Sequence, residues 1–207
     1  MLYQIVGTSS VLQLNYYALY YSFNWIFPEY NSLDESKKSE LVARVNSMCM
    51  AIYFSASYFF VTTPAHIIDI YTIYAGYILY DFRYSGTLSM ILHHIASLMA
   101  CYYIKFYADY SELYKYHTIL ISMEISLVLL SVCWILRIFK YPMNTIHKTV
   151  IILAYIFWTG ARMVVFPYIV YHTPTPNIRI KMIPFILLNT YWFVLLTRIV
   201  FFKKMKA

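Results

Sequence analysis

The chain has 207 residues, 61% of them hydrophobic and only 12% charged, where a soluble domain carries about 25% charged residues. Its mean hydropathy is +0.58, and apolar runs of about 20 residues recur along its length, which excludes an ordinary soluble globule and predicts an all-α polytopic membrane protein. The net charge of +7 does not signal nucleic acid, because the basic residues lie mostly in short loops and the tail and form no long run that would track a phosphate backbone.

Residues 2–27 form the least apolar candidate span. Gln4, Gln13, Asn15 and Asn24 interrupt it, and Pro28 ends it. It either crosses the membrane or lies at the interface, where its many tyrosines are favoured. The N-terminus lacks a basic n-region and a small-residue cleavage site, so a removable signal peptide is not expected. Residues 29–44, with the run Asp34-Glu35-Ser36-Lys37-Lys38, read as a solvated loop or short surface helix. A second span is predicted over 45–61 and is broken by Pro64.

The third and fourth spans, 66–82 and 86–106, are the pair around which the rest is arranged. They are joined by a tight turn at Tyr84, Ser85 and Gly86, with Asp81 closing the first and His93-His94 about two turns into the second. Tyr74, Tyr77 and Asp81 share one face. Gly86, Ser89, His93, Ala96 and Ala100 make a small-residue stripe that lets a neighbouring helix approach, and Met90, His94, Ser97 and Cys101 make a second stripe beside it.

A polar loop over 107–116 leads to a fifth span, 112–139, where His117, Glu124 and Ser131 recur every seven residues and share a face. A loop over 137–148 contains Pro142. The sixth span covers 149–171, with Arg162 near its middle and Pro167 beyond. A short proline-rich loop, 172–181, precedes a seventh span over 182–202 that contains Asn189, and the tail is Lys203-Lys204-Met205-Lys206-Ala207. Cys49, Cys101 and Cys133 are odd in number and lie in apolar segments, so small core-packing residues are expected rather than a disulfide framework.

With seven spans, ten Lys and Arg fall on one side and four (Lys105, Lys115, Arg179 and Lys181) on the other. The positive-inside rule then predicts a cytoplasmic C-terminus. If the first segment does not cross, six spans remain and the C-terminus stays cytoplasmic. His93 and His94 lie about 10–12 Å below the cytoplasmic surface at 1.5 Å rise per residue, Glu124 and Arg162 fall near the midplane, and His117 lies toward the opposite side.

Charged groups at a helix centre in a membrane cost roughly 2.5–3.5 kcal/mol each, so they should face the bundle interior and are candidates for function. Neutral imidazole takes or gives a proton near neutral pH, which makes His93 and His94 candidate acid/base groups. The alternative is a pair of helix-bridging hydrogen bonds. The two rings point about 100° apart on a helix, so one at most faces a given substrate. Glu124 and Arg162 are expected to neutralise each other across helices, with Trp158 covering Arg162 one turn away. Asp81 is expected to cap with Arg83, to bond a tyrosine, or to orient a histidine of the adjoining helix, and Asn189 to serve as interhelical glue. The scattered histidines lack the clustering a metal site needs, and no Gly-x-Ser-x-Gly turn is present for serine catalysis.

The series Gly76-Tyr77-Ile78-Leu79-Tyr80-Asp81, His93-His94, Glu124-Ile125-Ser126 with Trp134, Arg162 ahead of Pro167, and Asn189-Thr190-Tyr191-Trp192 resembles the TLC-domain family, which includes the ceramide synthases and the translocating-chain-associated proteins. The resemblance divides the chain into an N-terminal span and polar loop, 1–39, and a TLC-like transmembrane domain, 40–205. It implies a bundle of six or seven helices around a central lipid-accessible cavity, usually in the endoplasmic reticulum. In ceramide synthases the histidine pair, here His93 and His94, belongs to an acyl-CoA-dependent N-acyltransferase site. Those enzymes also carry a His-Asp pair on the next helix, where this chain has Tyr116-His117-Thr118 and Met123-Glu124-Ile125. It looks more like the small non-synthase members. The expected function is therefore lipid handling in an intramembrane cavity, with His117, Glu124, Arg162, Asn189, Trp192 and Asp81 as its polar core. The alternatives are an acyltransferase taking acyl-CoA as co-substrate and a non-catalytic structural or cargo-binding protein. Membrane lipid is the expected partner, no resident cofactor or metal is expected, and self-association is left open.

Overall fold

The computed structural model describes residues 2–84, 86–139, 145–172 and 176–202. The expected turn residue Ser85, the loop proline Pro142, the Thr173–Thr175 part of the proline-rich loop and the lysine-rich tail lie outside the described residues. The described chain is helical throughout, as the apolar periodicity predicts. It runs through α1 (Leu2–Ile26), a single turn α2 (Pro28–Asn31), α3 (Glu35–Ser57), α4 (Pro64–Asp81), α5 (Leu88–Tyr107), α6 (Tyr110–Ile138), α7 (Thr145–Thr159), α8 (Phe166–His172) and α9 (Pro176–Thr197).

Local chemistry sets the helix starts. The Asp34 side chain accepts from Lys37 N at 2.9 Å and opens α3, Thr63 caps α4 ahead of Pro64 in its first turn, and Thr87 caps α5. Of the polar stretch 29–44, residues 29–34 form a short surface turn and link as expected, whereas residues 35–44 are the first half of one helix of 23 residues that runs on into the second span. The Asp34 cap nucleates it, and Leu41, Val42, Ala43 and Asn46 bury its inner face.

The α7–α8 run is continuous from Thr145 to His172. It passes through a π-helical segment, Gly160–Val165, directly before Pro167, whose ring and missing N–H would otherwise break the ladder. Among the described residues, three helical runs are long and apolar enough to cross a membrane by length and composition, Glu112–Ile138, Thr145–His172 and Arg179–Phe201. The expected helices α1, α3, α4 and α5 are present, but tyrosines, histidines and terminal charges dilute their apolar character.

Helix neighbours close a cycle: α3 packs on α6, α6 on α7, the α7–α8 run on α9, α9 on α5, α5 on α4, and α4 on α3. The first helix, α1, lies against α4 and α3. At Gly76 an added Cβ would stand 2.7 Å from both the Ile5 carbonyl oxygen and the Thr8 Cβ, so only the missing side chain permits that approach. Two of the polar residues that dilute α1, Gln13 and Asn15, reach these neighbours. Asn15 Nδ2 donates to Asn46 Oδ1 at 2.5 Å, Asn46 Nδ2 donates to the Tyr80 hydroxyl at 2.7 Å, and Arg83 donates to Gln13 Oε1 at 2.6 Å. The Tyr16 hydroxyl donates to Ser39 at 2.8 Å, and the Tyr20 hydroxyl donates to Glu35. All three cysteines are free. Cys101 is buried as expected, whereas Cys49 is exposed, because the inner face of α3 is taken by Leu41, Val42 and Asn46.

Candidate functional site

The turn between α4 and α5 folds His94 back over the end of α4. His94 Nε2 lies 3.4 Å from Asp81 Oδ2, so of the three roles open to Asp81 the geometry supports facing a histidine. The contact is close but not aligned as a hydrogen bond, and neither His94 nitrogen has a hydrogen-bond partner among the described residues. Ser47 of α3 stands 3.3 Å from the other Asp81 oxygen. The Ser47 hydroxyl also lies 3.0 Å from the Ala43 carbonyl and has one proton to give.

His93 points elsewhere, as the 100° step requires. Its ring sits edge-on between Trp192 (5.2 Å between centroids) and Phe185 (6.1 Å), seven residues apart on α9. Trp192 Nε1 also reaches the Ser89 hydroxyl at 3.4 Å. The small-residue stripe of α5 therefore brings α9 close at Ser89. Farther along, Ala96 and Ala100 do not make a close crossing but face open space across from Pro184 and Phe185 of α9.

A second polar group joins α4, α6, the π segment and α9. The Tyr74 hydroxyl donates to Glu124 Oε1 at 2.9 Å, while Glu124 Oε2 is buried without a hydrogen-bond partner among the described residues. Arg162, only 2% exposed, donates through Nε to the Ser126 hydroxyl (3.3 Å), through Nη1 to Asn189 Oδ1 (3.2 Å) and through Nη2 to the Met123 carbonyl (3.3 Å). Trp158 covers its guanidinium at 5.6 Å, as expected from the one-turn spacing. Glu124 and Arg162, expected to neutralise each other across helices, form no ion pair within 4.0 Å among the described residues; their charges act on each other through space while their hydrogen bonds go to neutral partners. The planar fork of Arg reaches three acceptors on two helices at once, which a single carboxylate does not offer. Asn189 bridges helices through this bond. Three residues on, Trp192 meets His93, so α9 connects the two polar groups through one face.

His117 stands apart from both. Its Nε2 lies 3.3 Å from the Ser57 hydroxyl, which itself donates to the Phe54 carbonyl at 2.5 Å. Nε2 must then be the donor, and the Nδ1 lone pair is left buried and unbonded. His117, Glu124 and Ser131 are all buried, as their heptad spacing predicts. Sequence reasoning placed Tyr74 on the correct face without its partner, and it missed Ser57, Asn46 and Phe185. Small polar residues inside an apolar helix were the available signal for Ser57 and Asn46, whereas Phe185 carried none.

Two hollows adjoin these groups. A cavity of about 660 Å³ lies between α5 and α9, and its walls include Ala96, Ala100, Tyr103, Tyr116, Lys181 and Phe185. A void of about 40 Å³ lies farther in, among Tyr74, Ser97, Cys101, Met123 and Phe166. Neither histidine of the pair lines either hollow, and Phe185 stands between His93 and both.

A family model for the TLC domain matches residues 3–203. The chain belongs to the TLC-domain family. The match takes in α1 as well as the helices that carry the histidine pair and Arg162. With its long apolar helices, this TLC-domain chain is a multi-pass integral membrane protein. No curated protein and no solved structure matches it.

Proposed function

We propose that this TLC-domain protein binds lipid within its helical bundle and acts in membrane lipid homeostasis, in the endoplasmic reticulum or a related endomembrane, with its C-terminus on the cytoplasmic side. The observation that carries this reading is the cavity of about 660 Å³ between α5 and α9. Its size lies in the range of small-molecule sites, roughly 300–1,000 Å³. Its walls are almost wholly apolar, and exposed Met99, Tyr102 and Tyr107 at its edge open it sideways, toward acyl chains in a bilayer. In this reading α1, α3, α4 and α5 cross the membrane with the three more apolar runs.

One observation favours a second reading, an acyltransferase. His94 faces a carboxylate beside a second histidine, an arrangement in which a base is oriented by a third group. Against it stand the poor alignment of that contact and the separation of both rings from the cavities. The deciding experiment expresses wild type, His93→Ala, His94→Ala and the double variant, and measures both cellular lipid profiles and lipid carried by the purified protein. Lipid binding without catalysis predicts co-purifying lipid in all four and unchanged cellular acyl-lipid products. Loss of a specific acyl-lipid product in folded histidine variants would establish the enzyme instead. Wild-type protein that carries no lipid removes the lipid-handling reading.

A further inference from the structure

The cavity between α5 and α9 is mostly apolar, its polar groups being Lys181 and the hydroxyls of Tyr102, Tyr103, Tyr107 and Tyr116, so Lys181 is the one cation of the wall among the described residues. The carboxylates of Glu112 and Asp109 stand near enough to act on Tyr103. Lys181 lines the wall with Nζ 3.3 Å above the centre of the Tyr103 ring, and no carboxylate lies within 4.0 Å of it among the described residues. Tyr116 lines both the cavity and the inner void, and its hydroxyl is buried with no hydrogen-bond partner among the described residues. A buried hydroxyl left unbonded costs roughly 1–3 kcal/mol, and a ligand atom would recover that loss. The nearby Lys105 is engaged differently, donating to the Thr72 hydroxyl at 3.3 Å.

We propose that this cavity takes a single-chain lipid with an anionic head: the chain lies against Ala96, Ala100, Met182 and Phe185, and the head meets Lys181. The volume suits a single acyl chain. The head lies at the Tyr103 end of α5, nine residues or about 14 Å along the helix from His94, so the acid group is held away from the histidine pair. A carboxylate and a phosphate monoester satisfy Lys181 equally.

This inference rests on the lipid-handling reading and is tested separately from it. The detergent-purified full chain is titrated with oleic acid, oleoyl lysophosphatidic acid and uncharged oleyl alcohol, with binding read by native mass spectrometry and folding by thermal unfolding. Oleic acid or the lysophosphatidic acid should bind, and whichever binds tighter identifies the head. Lys181→Gln, a change at an exposed side chain, should weaken that ligand about tenfold and leave oleyl alcohol within about twofold. Ala100→Phe, which fills the cavity, should remove both ligands, and Ala96→Leu does the same service if Ala100→Phe misfolds. Equal binding of oleic acid and oleyl alcohol to wild type, or anionic binding indifferent to Lys181→Gln, overturns the proposal. Co-purifying two-chain lipid with no single-chain binding overturns it while leaving lipid handling intact, and a protein that carries no lipid at all overturns both.

Discussion

His94 Nε2 and Asp81 Oδ2 lie 3.4 Å apart although thirteen residues separate them in the chain. The link is made by the turn that reverses α4 into α5, and it ties the histidine pair to the end of the preceding helix rather than to a cavity. Asp81→Asn keeps the shape and removes the charge. The expected outcome is a folded protein whose co-purifying lipid matches wild type, because neither residue lines either of the two hollows described. Quantitative lipid mass spectrometry checks it, and a changed lipid complement would place the pair at the binding site after all.

Arg162 holds α6 to α9 by donating to three acceptors, Ser126, Met123 and Asn189. Arg162→Leu strands Asn189 Oδ1, while the Ser126 hydroxyl still donates to the Met123 carbonyl at 2.6 Å, and an unmet buried polar group costs roughly 1–3 kcal/mol. The expected loss is about 2 kcal/mol or more, seen as a lower unfolding temperature in detergent. Arg162→Lys keeps the charge but not the planar fork, so its unfolding temperature should fall between those of wild type and the leucine variant.

Glu124 keeps one oxygen on the Tyr74 hydroxyl. Glu124→Ala should lower folding yield, whereas Glu124→Gln retains an acceptor and should be close to wild type. Tyr74→Phe loses only this bond, worth about 0.6 kcal/mol on average between membrane helices. Yield and thermal stability measured side by side check the order.

Two glycines with opposite surroundings give a matched test. Gly76→Ala drives a methyl against the Ile5 carbonyl and Thr8, two contacts of 2.7 Å with atoms that cannot swing away. It should destabilise by about 1–3 kcal/mol and expose α1 to protease. Gly160→Ala meets nothing within 4 Å and should be neutral or stabilising by about 0.5–1 kcal/mol, since alanine is the better helix former. Equal effects at the two positions would show that α1 is not seated on α4.

At the start of α3 both carboxyls titrate below their ordinary values. Hydrogen bonds from the Lys37 side chain and backbone hold Asp34 down, and those from the Tyr20 hydroxyl and then Lys38 hold Glu35 down. Depressed carboxyls stabilise the folded form at pH values above their unfolded pKa, about 3.9 and 4.3, and that contribution is lost as pH falls through the lower folded values. The first turn of α3 should therefore stay protected at pH 5 and fray below about pH 4. Amide exchange at Lys37 and Lys38 reads this directly, and Asp34→Asn should flatten the response.

The helical class, the positions of most helices and the inward face of α6 were legible in the chain, because apolar periodicity, proline positions and the rarity of charge in oil act locally. The Asp81–His94 proximity was one of three contacts the chain left open for Asp81, since a short turn between two helices brings their ends together without choosing the partner. Neighbours across the bundle were not legible. Periodicity tells Arg162 to face inward but does not say that Ser126 and Asn189 will meet it sooner than Glu124, since that depends on how α6, α7 and α9 rotate against one another. The same holds for Gly76, whose lost side chain matters only because α1 lies on it, and for Ala96 and Ala100, small residues that could seal a crossing or line a hollow. How α9 lies on α5, with Pro184 and Phe185 across the open space, settled that choice, because the groups on one helix set how closely the small ones on the other are approached.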